Sequence, residues 1–134
     1  MIALTMPENK SPQADTGLAY LLGLDGEIQV QNQDGYFIKF EVHQVKATPD
    51  RPHGIKYSLS LHDPQGQRLI GFDNAHAGVK PAGSSFKHAG MHYPFDHYHR
   101  HAQDEGVAYM FETAYTLLRD FYTEVDRVLT EVAV

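Results

Sequence analysis

The chain has 134 residues and a formal charge of −6 with neutral His, from 11 Lys and Arg against 17 Asp and Glu. That length fits one domain, and that charge argues against a protein that wraps duplex nucleic acid by bulk attraction. With no Cys, disulfides, thiolate zinc sites, iron–sulfur clusters and cysteine nucleophiles are excluded, and no apolar run approaches the roughly 20 residues of a membrane span.

Residues 1–16 hold Pro7, Glu8, Asn9, Lys10, Ser11 and Pro12. Such a stretch has little to bury and reads as a flexible N-terminal arm. It lacks the basic and apolar regions of a signal peptide, so a cytoplasmic protein is expected. Residues 17–134 are expected to form a single domain. Leu18–Leu24 is a short apolar run of undecided type, closed by Asp25-Gly26, a hairpin signal. The period then becomes two. Ile28 and Val30 alternate with Glu27, Gln29 and Gln31, and Tyr36, Ile38, Phe40 and Val42 alternate with Lys39, Glu41 and His43. The apolar phase slips at Val45, which allows a bulge or a strand end. Thr48–Gly54 is a loop on its Pro and Gly content. Ile55, Tyr57, Leu59 and Leu61 mark the clearest half-buried strand, with Lys56, Ser58, Ser60 and His62 on its polar face. Asp63-Pro64-Gln65-Gly66 turns the chain into the next strand, Arg68–Asp73.

Asn74–His92 is a long Gly- and Ala-rich loop, of the kind that is functional or disordered in a small domain. Asp96–His101 and Ala108–Phe111 are short strand candidates. From Leu118 to Val132 the apolar residues fall at spacings of three and four, one stripe of a helix of about five turns. Thr113 stands where an N-cap hydroxyl is wanted. The expected fold class is α+β: a small two-layer domain with an antiparallel sheet of about four to six strands packed against one long C-terminal helix.

Nine His in a Cys-free chain is the excess to explain, and six lie between His76 and His101. That segment also carries Lys80, Lys87 and Arg100 against one acid, Asp96. It is a local cationic patch suited to a phosphodiester. If Asp96-His97-Tyr98-His99-Arg100-His101 is extended, His97, His99 and His101 share one face. Three chemistries remain open there. Two imidazoles, one neutral and one protonated, suit acid–base cleavage of RNA at its 2′-OH, with Arg100, Lys87 or Tyr98 stabilising the phosphorane. A His-x-His pair with a third ligand suits Zn²⁺. A purely structural role, bonding the sheet or orienting a loop, is as good for any single His. Asp73, ending a strand, suits the orientation of an imidazole, or ordinary turn chemistry with Asn74. No phosphate loop and no nucleophile elbow occurs.

The ordered series Ile55-Lys56-Tyr57-Ser58-Leu59, Arg68–Ala75 with Phe72-Asp73-Asn74, His99-Arg100-His101, Tyr109-Met110-Phe111 and Leu117–Phe121 resembles the TumE-type toxin family of bacterial and archaeal toxin–antitoxin modules. The resemblance covers about residues 27–131. It implies a growth-inhibiting toxin neutralised by a helix-turn-helix antitoxin. Its matching polar positions are Lys56, Tyr57, Asp73, Asn74, His99, Arg100 and His101. The loop from Asn74 to His99 is longer than the family's usual spacing, and His88, His92, Tyr93 and His97 have no counterpart. The resemblance does not set the reaction; from the imidazole pair, and from RNA as a common toxin target, the leading expectation is a small His-dependent, metal-independent endoribonuclease acting without a cofactor. His99, His101 and Asp73 are the catalytic candidates, and Arg100, Lys56, Asn74 and Tyr57 the substrate-binding ones. The alternatives are a metal-dependent hydrolase built on the His cluster and a non-enzymatic protein-interaction module. An open sheet edge offers a route to a homodimer.

Overall fold

A computed structural model of the chain describes residues 17–49, 51–74 and 96–133. The N-terminal arm and most of the Gly-rich loop, with His76, His88, His92 and Tyr93, lie outside the described residues. Helix α1 (Leu18–Gly23) is followed by strands β1 (Ile28–Val30), β2 (Phe37–Gln44), β3 (Ile55–His62), β4 (Arg68–Asp73), β5 (His97–His99) and β6 (Val107–Ala108), then helix α2 (Ala114–Val132). The strands form one sheet in chain order, and every neighbouring pair is antiparallel. The α+β class and the long C-terminal helix are as the periodicities predict.

The undecided run is a helix, and Asp25-Gly26 links that helix to the sheet instead of closing a hairpin. There the Asp25 carboxylate accepts from Val42 N at 2.9 Å. That bond satisfies an edge donor of β2 that the three-residue β1 is too short to reach. In β1 the apolar positions face outward: Ile28 and Val30 are 63% and 68% exposed. Alternation fixes which residues share a face but not which face is buried. The register that sets Gln29 opposite Ile38 turns Gln29 inward, and Tyr122 OH donates to its Oε1.

One face of the sheet holds the core. Ile38, Phe40, Tyr57, Leu59, Leu61, Ile70 and Phe72 are at most 2% exposed. They meet Leu117, Leu118, Phe121 and Val125 of α2, each at most 1% exposed. Burial of each such α2 side chain is worth about 1.5–3 kcal/mol. Phe121 meets Phe40 and Phe72 edge-on, at 6.0 and 6.1 Å between ring centroids. Helix α2 opens on a capping box in which Thr113 Oγ1 accepts from Thr116 N at 3.1 Å. The hydroxyl thus satisfies one of the donors that a helix start leaves bare.

Candidate active site

The opposite face of the sheet, away from α2, carries the polar positions of β2 to β5. Register aligns them in rows across the strands. One row runs Glu41, Ser58, Asp73, His97, and its neighbour runs Lys39, Ser60, Gly71, His99. Asp73 ends β4 and sits directly opposite His97, with His99 one step along the same face. Tyr98, between the two His, points the other way. It stacks on Phe72 at 4.5 Å and donates its hydroxyl to Glu124 of α2. Alternation in three residues thus puts two imidazoles beside one carboxylate and anchors the strand through the residue between them.

The strand stops at His99, so the expected extension to His101 is not made. His101 lies exposed in a bend, outside the His97–His99 face. Asp104 closes this turn. Its carboxylate accepts from Arg100 N at 2.9 Å and Arg100 Nε at 2.7 Å, and from Gly106 N at 3.2 Å. Its backbone carbonyl accepts from His99 Nδ1 at 3.0 Å. Gly106, at φ +108, lies flat against the ring: a Cβ there would stand 3.0 Å from His99 Cε1 and 3.3 Å from Nδ1.

These contacts set the protonation of the trio. A carbonyl only accepts, so His99 Nδ1 carries a hydrogen. Nε2 lies 2.9 Å from Asp73 Oδ2, and that carboxylate stabilises the charge of a second proton. The Asp73 carboxylate raises the His99 pKa against the opposing effect of burial, and the Asp104 carbonyl adds to the rise. Burial alone would push Asp73 up. His99, His97 and Arg68 outweigh it, and the carboxyl is held below its ordinary range. His97 Nδ1 is 3.7 Å from Asp73 Oδ1. For His97 burial dominates, and its pKa falls in spite of Asp73. Around one carboxylate, two imidazoles are therefore displaced in opposite directions. Asp73, His97 and His99 are 6%, 2% and 7% exposed. His99 Nε2 and Asp73 Oδ1 are buried with no aligned hydrogen-bond partner: the 2.9 Å approach brings charges together without directing the N–H onto the oxygen.

Arg68 joins the group through an irregularity in β4. The register shifts between Leu61 and His62, so Arg68 pairs with His62. Its side chain crosses Gly71, where a Cβ would meet Arg68 Cδ at 3.3 Å, and Nη1 comes within 3.9 Å of Asp73 Oδ2. A bulge that re-aims one side chain is a recurrent device beside sites.

The other sequence candidates divide. Asn74 is fully buried and spends its side chain on β3, accepting from Tyr57 N and donating to Ile55 O, each at 2.8 Å. Its own carbonyl accepts two bonds from Arg51, at 3.0 and 2.7 Å. The Tyr57 ring faces the core, and its hydroxyl donates to Asp96 Oδ2 at 2.7 Å. Burial, then Asp96, pushes that phenol well up. Asp96 also meets His53 Nε2 at 3.0 Å, while the His53 ring packs on Phe111 at 4.1 Å. This clamp seats the residue immediately before His97. Lys56 is exposed beside a pocket of about 280 Å³ shared with Glu41, His43, Tyr57 and Ser58, next to Asp73 through Ser58. Arg100 is exposed and tied to Asp104. Among the described residues no group of three His, Cys, Asp or Glu is arranged to hold a metal ion.

The structure brings Asp73 and His99 together with His97, Arg68, Asp104 and Gly106, and leaves His101 outside the group. The two-residue spacing already marked His97 as sharing a face with His99. Arg100 and Asp104, four residues apart, are a visible charge pair. Arg68 had no signal, because its reach depends on the bulge.

The family model described as Toxin TumE matches residues 21–129. No curated protein and no solved structure matches the chain. No helix among the described residues is long and apolar enough to cross a membrane. The matched span runs from α1 into the last turns of α2 and includes every residue of the Asp73 site, so the chain belongs to the TumE toxin family and is the toxin half of a toxin–antitoxin pair.

Proposed function

We propose that this toxin cleaves RNA in the cytoplasm as a metal-independent endoribonuclease, with His97 and His99 as the acid–base pair and Asp73 as their orienting carboxylate. The observation that carries this reading is the grouping of two imidazoles around one buried carboxylate, His99 Nε2 at 2.9 Å from Asp73 Oδ2 and His97 Nδ1 at 3.7 Å from Oδ1. Neutral His97 takes the proton of a ribose 2′-OH. The 2′-oxygen attacks phosphorus, and the bond to the 5′-oxygen breaks. His99, protonated on both nitrogens, gives a proton to that leaving oxygen. The products are a 2′,3′-cyclic phosphate and a 5′-hydroxyl. Arg68, beside Asp73, offsets charge on the phosphorane. Lys56 and Arg100, both exposed, contact neighbouring phosphates in this reading, whereas Asn74 and Tyr57 act through the scaffold. The antitoxin, read as a helix-turn-helix protein, is the partner that silences it.

Burial favours a second reading. With all three groups nearly enclosed, the trio can serve as an ion-paired lock in a toxin that inhibits by binding a protein. Tag-free protein assayed on RNA, with growth inhibition in parallel, separates the two. His97→Gln and His99→Gln should each lower cleavage by roughly 10²–10⁴-fold while circular dichroism shows the fold retained. His101→Gln should stay within a few-fold of wild type, and EDTA should change nothing. Wild-type cleavage by His99→Gln rules out the acid–base assignment. Loss on chelation with recovery on Zn²⁺ installs the metal-dependent hydrolase instead.

A further inference from the structure

The face of the sheet away from α2 differs in charge from the rest of the molecule. Strands β2 to β5 contain only two acids, Glu41 and Asp73, against Lys39, Lys56 and Arg68 on the same face. Four imidazoles share it. Helix α2, on the other side, carries four acids against two Arg. A chain at −6 overall thus keeps one surface on which a polyanion is not repelled.

The same face offers a flat ring system. Phe37 and His62 are cross-strand partners whose rings stack at 5.0 Å and 8°. His62 is held by both nitrogens: Nδ1 donates to Gly66 O at 3.1 Å, and Nε2 shares a hydrogen bond with Ser60 Oγ at 2.9 Å. The ring is therefore fixed before any ligand arrives, which lowers the ordering cost of binding. Between this stack and the Asp73 centre the floor is made of small residues, Ser58, Ser60 and Gly71. Lys39 and His99 lie in one row, separated by three strand spacings, roughly 14 Å. Arg68 bridges the two ends, paired with His62 and 3.9 Å from Asp73.

We propose that this sheet face is a platform for single-stranded RNA, with the Phe37–His62 stack as a base-stacking step and exposed Lys39 and Lys56 as phosphate contacts that lead the strand to Asp73 and His99. Stacking on a flat ring with lysines along the backbone is the sequence-tolerant mode by which single strands bind. The proposal deepens the ribonuclease reading and rests on it for the class of ligand.

The test is fluorescence anisotropy of full-length protein with a labelled single-stranded RNA of mixed sequence, over a salt series, with cleavage measured in parallel. Each lysine lost from a phosphate contact should lower the salt slope by about 0.7. Lys39→Gln with Lys56→Gln should therefore lower it by about 1.4 and weaken binding at low salt. Phe37→Leu should cost roughly 5- to 150-fold in affinity, the range of one lost stack. All three positions lie on the polar face, so the core is kept. Unchanged affinity and slope overturn the platform, and if such variants still cleave RNA, the ribonuclease reading stands without it. Binding that depends on these residues in a protein that never cleaves RNA supports the platform and removes the ribonuclease reading. No binding of RNA by wild type, or loss of antitoxin binding alone in the variants, overturns the proposal and gives the face to the protein partner.

Discussion

Gly106→Ala tests whether the turn after β5 holds His99 in its charged form. Gly106 is at φ +108, where a Cβ costs of order 1–3 kcal/mol in backbone strain. The new methyl would also stand 3.0 Å from His99 Cε1, 3.3 Å from Nδ1 and 3.4 Å from His97 Cβ. Relief requires the imidazole to move by a few tenths of an ångström. The same ring makes the 3.0 Å bond to Asp104 O and the 2.9 Å approach to Asp73, and movement along one lengthens the other. Loss of the carbonyl bond adds about 0.5–1.5 kcal/mol. The sum is a destabilisation of roughly 1.5–4.5 kcal/mol.

Gly66→Ala supplies the control. Gly66 has φ +89 and nothing within 4 Å of its would-be Cβ, so it carries strain without the steric contact. Urea denaturation should show Gly106→Ala less stable than Gly66→Ala by about 1 kcal/mol. The titration of the His99 Cε1 proton, followed by NMR, should move down towards the ordinary His value in Gly106→Ala and stay at its wild-type position in Gly66→Ala. If His99 titrates identically in wild type and Gly106→Ala, and the two glycine variants lose equal stability, the turn does not set the state of this imidazole.

Cleavage, where present, should follow a bell-shaped pH profile: the acid limb falls below the ordinary His pKa of about 6.5 as His97 protonates, and the alkaline limb falls above it as His99 loses its proton. Stability carries the matching sign. The His99 contribution is full below about pH 6.5 and is lost as pH rises through its raised folded value. The advantage of wild type over His99→Gln in urea should therefore shrink on the alkaline side, and a gap that widens there rejects the assignment. Asp73 acts at the other end, its contribution present above about pH 3.9 and lost as pH falls through its lowered folded value. Asn74→Ala strips an acceptor from Tyr57 N and a donor from Ile55 O, both buried, and should cost about 2–4 kcal/mol in thermal or chemical unfolding. Asn74→Asp, which keeps the acceptor but sets an oxygen against the Ile55 carbonyl, should not restore it. Thr113→Ala should cost about 1 kcal/mol through the lost cap while leaving the His99 titration in place.

Much of this molecule is written in local pattern. Alternation from Tyr36 to Val42 and from Ile55 to Leu61 marks β2 and β3, because a pleated strand sends successive side chains to opposite sides. Spacings of three and four from Leu118 mark α2, and Thr113 marks its start. Asp73 and His99 stand out as a carboxylate at a strand end and an imidazole in a His-x-His run. The choice between His97 and His101 as the second imidazole does not follow from spacing, since both are two residues from His99. It follows from where β5 stops. Asp104 takes the Arg100 N–H into a turn and sends His101 to solvent.

Pattern within a segment is set by the geometry of its own backbone, so the sequence alone determined β2 and β3, the long helix, its cap and the α+β class. It did not determine the ends of β5 or the bounds of β6, which is Val107–Ala108 and not the expected Ala108–Phe111. Register, bulges and enclosure are set by pairing between distant segments. They alone decided that Ile28 and Val30 face outward, that Arg68 bends over Gly71, and that Asn74 and Tyr57 serve the scaffold. The charge states around Asp73 belong to this second group. A pKa depends on what burial and neighbouring charges do to an ionised group, and His97 and His99, identical side chains two residues apart, are driven in opposite directions by their surroundings.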